Sequence, residues 1–141
     1  MRTSSEVLIK ASAEDVFSLV SDPERWSLFV PSLSANRNVY PSDRCVGQSW
    51  DSEFSLDGVA VTLVGWCTFY EPSARYGVQT KGVVKSTWLY TIEPEGDGTR
   101  LQVEVECEPA PSGGPHSTLL ARTICDEAER GAQNLKELLD R

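Results

Sequence analysis

The stretch PHSTLLARTICDEAERGAQNLKELLD, residues 115–140, predicts one long helix at the end of the chain. Its apolar residues recur at the spacing of a single helical face. In order, this face consists of Ala121, Cys125, Ala128, Ala132, Leu135 and Leu139, with Gly131 and Leu138 beside it. Most of these side chains are small, so the surface that packs against the helix must supply the bulk of the core.

The region before this helix has the alternating pattern of β-strands. We predict strands over 34–40, 47–56, 59–70, 75–80, 83–93 and 99–108, joined by turn signals such as Asp57-Gly58 and Lys81-Gly82. Strands joined so tightly are antiparallel neighbours. Their bulky residues are Trp50, Phe54, Trp66, Trp88 and Tyr90. A sheet of this kind around a slender helix either leaves an internal space or lets large and small side chains interdigitate and fill it.

A strand over 4–10 and two short helices come first in the chain. Ser12 has the position of a helix N-cap, and Asp22-Pro23 opens the second helix with an acidic cap followed by proline. The second helix is expected to bury Trp26, Phe29 and Val30. The chain therefore reads as strand, two short helices, six strands and one long helix, an α+β arrangement.

The charged residues assign the faces of three strands. In 99–108, Leu101 and its alternate neighbours face inward, because the other side is charged; Lys85 and Glu93 mark the outer side of 83–93, and Asp51 and Glu53 that of 47–56. The strand 59–70 carries no charge, so alternation leaves its faces open. The predicted inner wall is neutral, and its hydroxyls either orient a ligand or hydrogen-bond to nearby backbone.

Composition excludes several classes of protein. The 141 residues carry a formal net charge of -8, which disfavours phosphate-rich partners such as nucleic acid. No apolar run is long enough to cross a bilayer, and the start lacks a secretory signal, so the cytoplasm is the expected location. The four cysteines form no CxxC pair, and with one histidine we expect no metal site and no cofactor.

Several short motifs carry a family resemblance that spans nearly the whole chain. They are ASAEDVF at 11–17, SDPERW at 21–26, Glu71-Pro72, and Trp88 followed by GDGTRL at 96–101. In this order and spacing they resemble the polyketide cyclase and START-related superfamily (SRPBCC, Bet v 1-like). The resemblance implies a helix-grip fold, in which a curved antiparallel sheet wraps around the long C-terminal helix, as a single domain over 1–141.

The resemblance implies two functions. Members of the superfamily bind or carry lipophilic molecules, and others are aromatase/cyclases or enzymes of other classes. In the cyclases the proposed catalytic groups include an arginine late in a long inner strand and a tyrosine after the second short helix. Those places fall near Thr68 and Ser32 here, and neither residue is retained.

We therefore expect binding of a neutral hydrophobic molecule, such as an aromatic polyketide, isoprenoid or lipid, in an internal cavity. The predicted ligand contacts are Trp50, Ser52, Phe54, Trp66, Thr68, Tyr76, Ser86, Trp88, Tyr90, Leu120, Ile124 and Ala128. One alternative is a cyclase- or dehydratase-type enzyme that shapes a reactive substrate, with Tyr90, Tyr76 or His116 as candidate catalytic residues. A protein-interaction module is a second alternative, and a homodimer stays open.

Overall fold

The computed structural model describes residues 1–140; the final residue of the predicted domain, Arg141, lies outside them. The chain forms seven strands and three helical segments. The strands are β1 (Arg2–Ile9), β2 (Leu33–Tyr40), β3 (Ser49–Leu56), β4 (Val59–Glu71), β5 (Arg75–Lys81), β6 (Val84–Glu95) and β7 (Gly98–Pro109). The helices are α1 (Ala13–Val20), a 3-10 helix (Pro23–Leu28) and α2 (Gly114–Leu139).

One antiparallel sheet contains all seven strands in the order β1-β7-β6-β5-β4-β3-β2. Strands β2 to β7 each pair with their neighbours in the chain, and β1 joins the sheet beside β7. Helix α2 packs chiefly on β7 and β1, whereas the 3-10 helix packs on β2 at the opposite edge. The prediction of a helix-grip fold is confirmed.

The two short helices begin where their capping residues place them. The Ser12 hydroxyl accepts a hydrogen bond from the Asp15 backbone N–H at 3.1 Å. The Asp22 carboxylate accepts one from the Glu24 backbone N–H at 3.2 Å, and Pro23 occupies the first helical position. The second helix is a 3-10 helix, and it buries Trp26 as predicted.

The inward faces of β3, β6 and β7 are confirmed by burial, while β4 requires a correction. Leu63, Gly65 and Cys67 of β4 face the interior, so Trp66 and Thr68 lie on the outer face and are only half-buried. Gly65 is required opposite Trp50 on the neighbouring strand, because a Cβ there would lie 2.5 Å from the Trp50 Nε1 atom. The indole of Trp50 therefore covers the glycine and excludes a side chain from that position.

The expected internal space is filled in this structure. The inward-facing residues of β3 and β6 are at most 7% exposed, and Tyr76, Leu120 and Ile124 are fully buried. A void large enough for water would leave the side chains around it accessible to a water-sized sphere. Large side chains from the sheet and the 3-10 helix interdigitate with the small face of α2, which is the alternative left open by the sequence.

Candidate functional site

The interior is occupied by a cluster of four aromatic residues, Trp26, Phe29, Trp88 and Tyr90, called here the aromatic cluster. The ring centroid of Trp26 lies 5.0 Å from that of Trp88, 5.7 Å from that of Tyr90 and 5.9 Å from that of Phe29. The Trp26 indole N–H donates to the Val20 backbone carbonyl at 2.8 Å. Trp26 is buried under the short helices, as expected, and its ring also reaches Trp88 and Tyr90 of β6.

A second aromatic group lies beside α1. Phe17 contacts Tyr70 and Tyr76 edge-on, with centroid separations of 5.3 and 6.3 Å. Tyr76 is paired with Tyr90 across β5 and β6, so the two aromatic groups adjoin on the sheet. The interior is therefore an apolar, aromatic volume between the sheet, α1, the 3-10 helix and α2.

Most of the buried hydroxyls predicted on the inner wall bond to other protein groups. Thr80 Oγ1 and Ser86 Oγ lie 2.6 Å apart, and the Trp88 indole N–H donates to Ser86 Oγ at 3.0 Å. Ser52 Oγ donates to Asn36 Oδ1 at 2.6 Å. These groups hold strands together and are not free to contact a ligand without breaking these bonds.

Three buried polar atoms on this side of the sheet have no hydrogen-bond partner among the described residues. They are the Ser5 hydroxyl on the edge strand β1, the Tyr76 hydroxyl and the side-chain carbonyl oxygen of Gln48. Gln48 was not among the predicted site residues, although strand alternation places it on the same face as Trp50 and Ser52. Each unsatisfied buried group costs about 1–3 kcal/mol, so three of them within one small domain require an explanation.

The interior favours neutral forms of its titratable groups. Burial raises the pKa of Tyr76 and of Tyr90 far above the ordinary tyrosine value, so both phenols keep their protons at physiological pH. Burial also raises the pKa of the Cys67 thiol from 9.0 to about 11. Proton transfer by these groups near neutral pH is therefore disfavoured, whereas hydrogen-bond donation by the phenols is available.

The reactivity of the four thiols tests how tightly this interior is packed. Cys45 is half-buried, whereas Cys67, Cys107 and Cys125 are buried, and all are free. We expect Ellman's reagent at mildly alkaline pH to label Cys45 rapidly and the other three only after denaturation, because the reagent reacts with accessible thiolates. Rapid labelling of a second thiol in the native protein would contradict the packing described above.

The raised pKa values also determine the direction in which the stability of the fold changes with pH. The folded state favours neutral Cys67, Tyr76 and Tyr90, so these groups stabilise it below their ordinary pKa values. This contribution is lost as the pH rises above those values, because the unfolded chain then releases protons that the folded chain holds. Stability should therefore decline in alkaline solution before the buried phenols ionise.

The 3-10 helix closes the interior, and the residues that follow it, 29–32, are attached to α2 by a small set of polar contacts. The Glu127 carboxylate accepts hydrogen bonds from the Ser32 backbone N–H at 2.7 Å and from the Ser32 hydroxyl at 2.8 Å. The Asn134 amide donates to the Phe29 carbonyl at 3.2 Å. Glu127 is 8% exposed. Among the buried side chains of residues 1–140, it is the only one of a charged residue type.

Arg44 stands at another edge of the interior. Its guanidinium donates to the Ser18 carbonyl and the Ser21 hydroxyl, each at 3.2 Å, and lies 3.5 Å from the Asp22 carboxylate. These contacts link the loop before β3 to the junction between α1 and the 3-10 helix. The positive charge of Arg44 is therefore compensated locally and is not presented to the interior.

The predicted ligand contacts divide into two groups. Trp66 and Thr68 are on the outer face, where Trp66 borders a cleft of about 380 Å³ together with Gln79, Lys81 and Lys85. Those that the structure brings to the interior are Trp50, Ser52, Phe54, Tyr76, Ser86, Trp88, Tyr90, Leu120, Ile124 and Ala128. His116 is exposed in the first turn of α2, whereas the other two candidate catalytic residues, Tyr76 and Tyr90, are buried.

Two further observations bear on the class of protein. Within residues 1–140, no helix is both long and apolar enough to span a membrane. The same residues contain no cluster of three or more histidine, cysteine or carboxylate side chains arranged to hold a metal ion.

Solved structures with the same fold are numerous. A protein from Thermus thermophilus is 19% identical, with a TM-score of 0.77 over 99% of this chain and 97% of its own. A START superfamily protein from Mycobacterium smegmatis is 21% identical, with a TM-score of 0.76 over 99% and 97% of the two chains.

The di-domain ARO/CYC StfQ of the steffimycin biosynthetic pathway also has this fold. It is 13% identical, with a TM-score of 0.76 over 99% of this chain and 50% of its own. At these identities the likeness establishes the fold alone. Among curated protein sequences, no significant match is found.

The family is shown by a sequence model described as polyketide cyclase / dehydrase and lipid transport, which matches residues 1–140. The fold and the apolar interior fit a hydrophobic-ligand-binding or polyketide cyclase-type protein. On the strength of that full-length match, this chain belongs to the polyketide cyclase / dehydrase and lipid transport family.

Proposed function

We propose that this protein binds a neutral, largely apolar small molecule between the inner face of the sheet and α2. The ligand occupies space that forms when the 3-10 helix moves and Trp26 leaves the aromatic cluster. The proposal rests on the observation that a short helix covers part of the inner face of the sheet. This uncharged face is covered at β2 and β6 by a 3-10 helix of six residues, whereas α2 packs mainly on β7 and β1.

The short 3-10 helix can move away from the sheet at a lower cost in free energy than α2 can. The 3-10 helix and the residues after it, up to Ser32, are held by one indole hydrogen bond, the contact of the N-cap Asp22 with Arg44, the Ser32–Glu127 contact and a few amide contacts. Local opening of such a segment exposes few backbone hydrogen bonds, so it lies at the low end of local stability. Burial of apolar ligand surface, worth about 25 cal/mol per Å², then offsets the displaced aromatic contacts.

The absence of ionised side chains on the inner sheet face favours binding over acid–base catalysis. The buried polar residues of β3, β5 and β6 are Ser52, Thr80 and Ser86, and these already bond to other protein groups. General acid–base catalysis at neutral pH needs a group that titrates near neutrality, such as a perturbed carboxylate or an imidazole. The buried phenols do not meet this requirement.

The proposal is tested with N-phenyl-1-naphthylamine, a neutral fluorescent probe, together with native mass spectrometry of the freshly purified protein. We expect saturable one-to-one binding of the probe, and a co-purifying neutral lipophile in the mass spectrum. Ala128→Phe should weaken probe binding about tenfold or more, because Ala128 is buried on the part of α2 that faces residues 29–32.

Glu129→Phe is the matched control, since it adds the same ring at the exposed neighbouring position. It should leave probe affinity unchanged. Circular dichroism and thermal melting establish that both variants fold, and Ala128→Val provides a smaller intrusion if the phenylalanine variant does not. Lack of saturable probe binding by the wild-type protein would overturn the proposed function.

A further inference from the structure

The Tyr76 hydroxyl has an unusual position in this interior. It reaches neither water nor a protein acceptor: the residue is 0% exposed, and its oxygen atom has no hydrogen-bond partner among residues 1–140. The Tyr76 ring lies edge-on to the rings of Phe17 and Tyr70, and Tyr90 is its cross-strand partner. By contrast, the buried hydroxyls of Thr80 and Ser86 bond to each other. Tyr76 therefore presents a neutral donor inside an aromatic volume.

Gln48 presents the complementary group. It is 2% exposed, and its side-chain N–H donates to the Pro41 carbonyl at 3.1 Å. This bond defines the orientation of the amide, because a flipped amide would place its oxygen against the Pro41 oxygen. The Gln48 Oε1 atom has no partner among the described residues. It is an acceptor that requires a hydroxyl or N–H donor.

Both groups belong to the same end of the interior. The Gln48 backbone carbonyl accepts a hydrogen bond from the Cys67 N–H at 2.8 Å. Cys67 is the cross-strand partner of Val78, which is two residues from Tyr76 on the inner face of β5. The unpartnered donor and the unpartnered acceptor are thus linked through one residue of β4.

The geometry points to a ligand class for the proposed function: a neutral lipophile that carries a hydroxyl group, held by the Tyr76 hydroxyl as donor and Gln48 Oε1 as acceptor. This inference rests on the proposed function. A hydroxyl can both accept and donate a hydrogen bond, so its chemistry matches both the Tyr76 donor and the Gln48 acceptor. A carboxylate is disfavoured by the Gln48 oxygen, and the nearby Arg44 is already paired with Asp22.

The test compares two competitors of equal size and shape, 1-naphthol and 1-methylnaphthalene, as displacers of N-phenyl-1-naphthylamine. We expect 1-naphthol to bind the wild-type protein about tenfold or more tightly than the methyl analogue. Tyr76→Phe and Gln48→Met should each bring this ratio toward one. Tyr40→Phe is the control, because Tyr40 is 77% exposed, and it should leave the ratio unchanged.

The outcomes separate this inference from the proposed function. If the fluorescent probe binds but both competitors displace it equally, the hydroxyl preference is wrong and apolar binding stands. If the probe does not bind at all, the proposed function fails and this inference fails with it. Thermal melting provides a second readout: Tyr76→Phe should keep or raise the melting temperature, because it removes an unpartnered hydroxyl. A clear decrease would identify a structural role instead.

Discussion

Trp26→Ala should lower the free energy of unfolding by about 3–5 kcal/mol and, at the same time, raise affinity for a neutral apolar probe. The loss of stability follows from the position of Trp26, which is 4% exposed and contacts Phe29, Trp88 and Tyr90. Removal of the indole leaves a cavity and deletes the hydrogen bond to Val20. Urea denaturation measures the change in stability.

The gain in affinity follows from the same cavity. In the wild-type protein, a ligand must displace the Trp26 ring, and this displacement reduces the apparent affinity. In the alanine variant the space already exists, as an apolar cavity that binds apolar molecules. Titration with N-phenyl-1-naphthylamine should therefore give a lower dissociation constant for the variant than for the wild-type protein.

Trp66→Ala is the matched control on the other side of the sheet. Trp66 is half-buried on the outer face, so its removal should cost less stability and leave probe affinity unchanged. Trp26→Phe provides a milder change if the alanine variant does not fold. Reduced probe affinity in a folded Trp26 variant would show that the ligand does not enter the space that the indole occupies.

Glu127→Ala is expected to lower the free energy of unfolding by about 2–3 kcal/mol, a large effect for a polar residue. The Glu127 carboxylate accepts two hydrogen bonds from Ser32, at 2.7 and 2.8 Å; Glu127 is buried and Ser32 is half-buried. Alanine would leave the Ser32 backbone N–H without an acceptor. Chemical denaturation monitored by circular dichroism measures the loss.

Two comparisons isolate the role of this contact. Glu127→Gln keeps an acceptor oxygen without the charge, so it should cost less than the alanine variant. Glu129→Ala changes an exposed carboxylate at a nearby position of α2 and should stay within about 0.5 kcal/mol of the wild type. Equal stability of Glu127→Ala and Glu129→Ala would mean that the contact with Ser32 contributes little.

Strand faces were predictable wherever charge marked one side. Asp51 and Glu53 identified the outer side of β3, and Lys85 and Glu93 that of β6. In β4 the positions from Val59 to Tyr70 are uncharged on both sides, so no residue among them distinguishes the faces. For this reason Trp66 and Thr68 were included among the expected contacts of an internal ligand, although the structure places them on the outer face. The register with β3 decides the matter, because Gly65 must lie opposite Trp50.

The candidate site was predictable in outline and not in its details. Alternation identified Tyr76, Trp88 and Tyr90 as inward residues, and the same pattern contained the signal for Gln48. Alternation does not predict which buried hydroxyls lack a hydrogen-bond partner. Ser52 bonds to Asn36, and Thr80 to Ser86, through side-chain contacts between strands. Hydrogen-bond pairing depends on positions in space rather than on residue type.

By itself, the sequence determined the order of the elements, the caps of the short helices, the small-residue face of α2 and an inner wall without charge. These properties are local, since they depend on periodicity and on residues a few positions apart. Only the tertiary structure decided whether the interior is hollow. Trp26 reaches Trp88 across 62 positions of the chain (88 − 26), and Ser32 meets Glu127 across 95. Whether a core is filled depends on which side chains that are distant in sequence come into contact. The local pattern of residues does not predict these contacts.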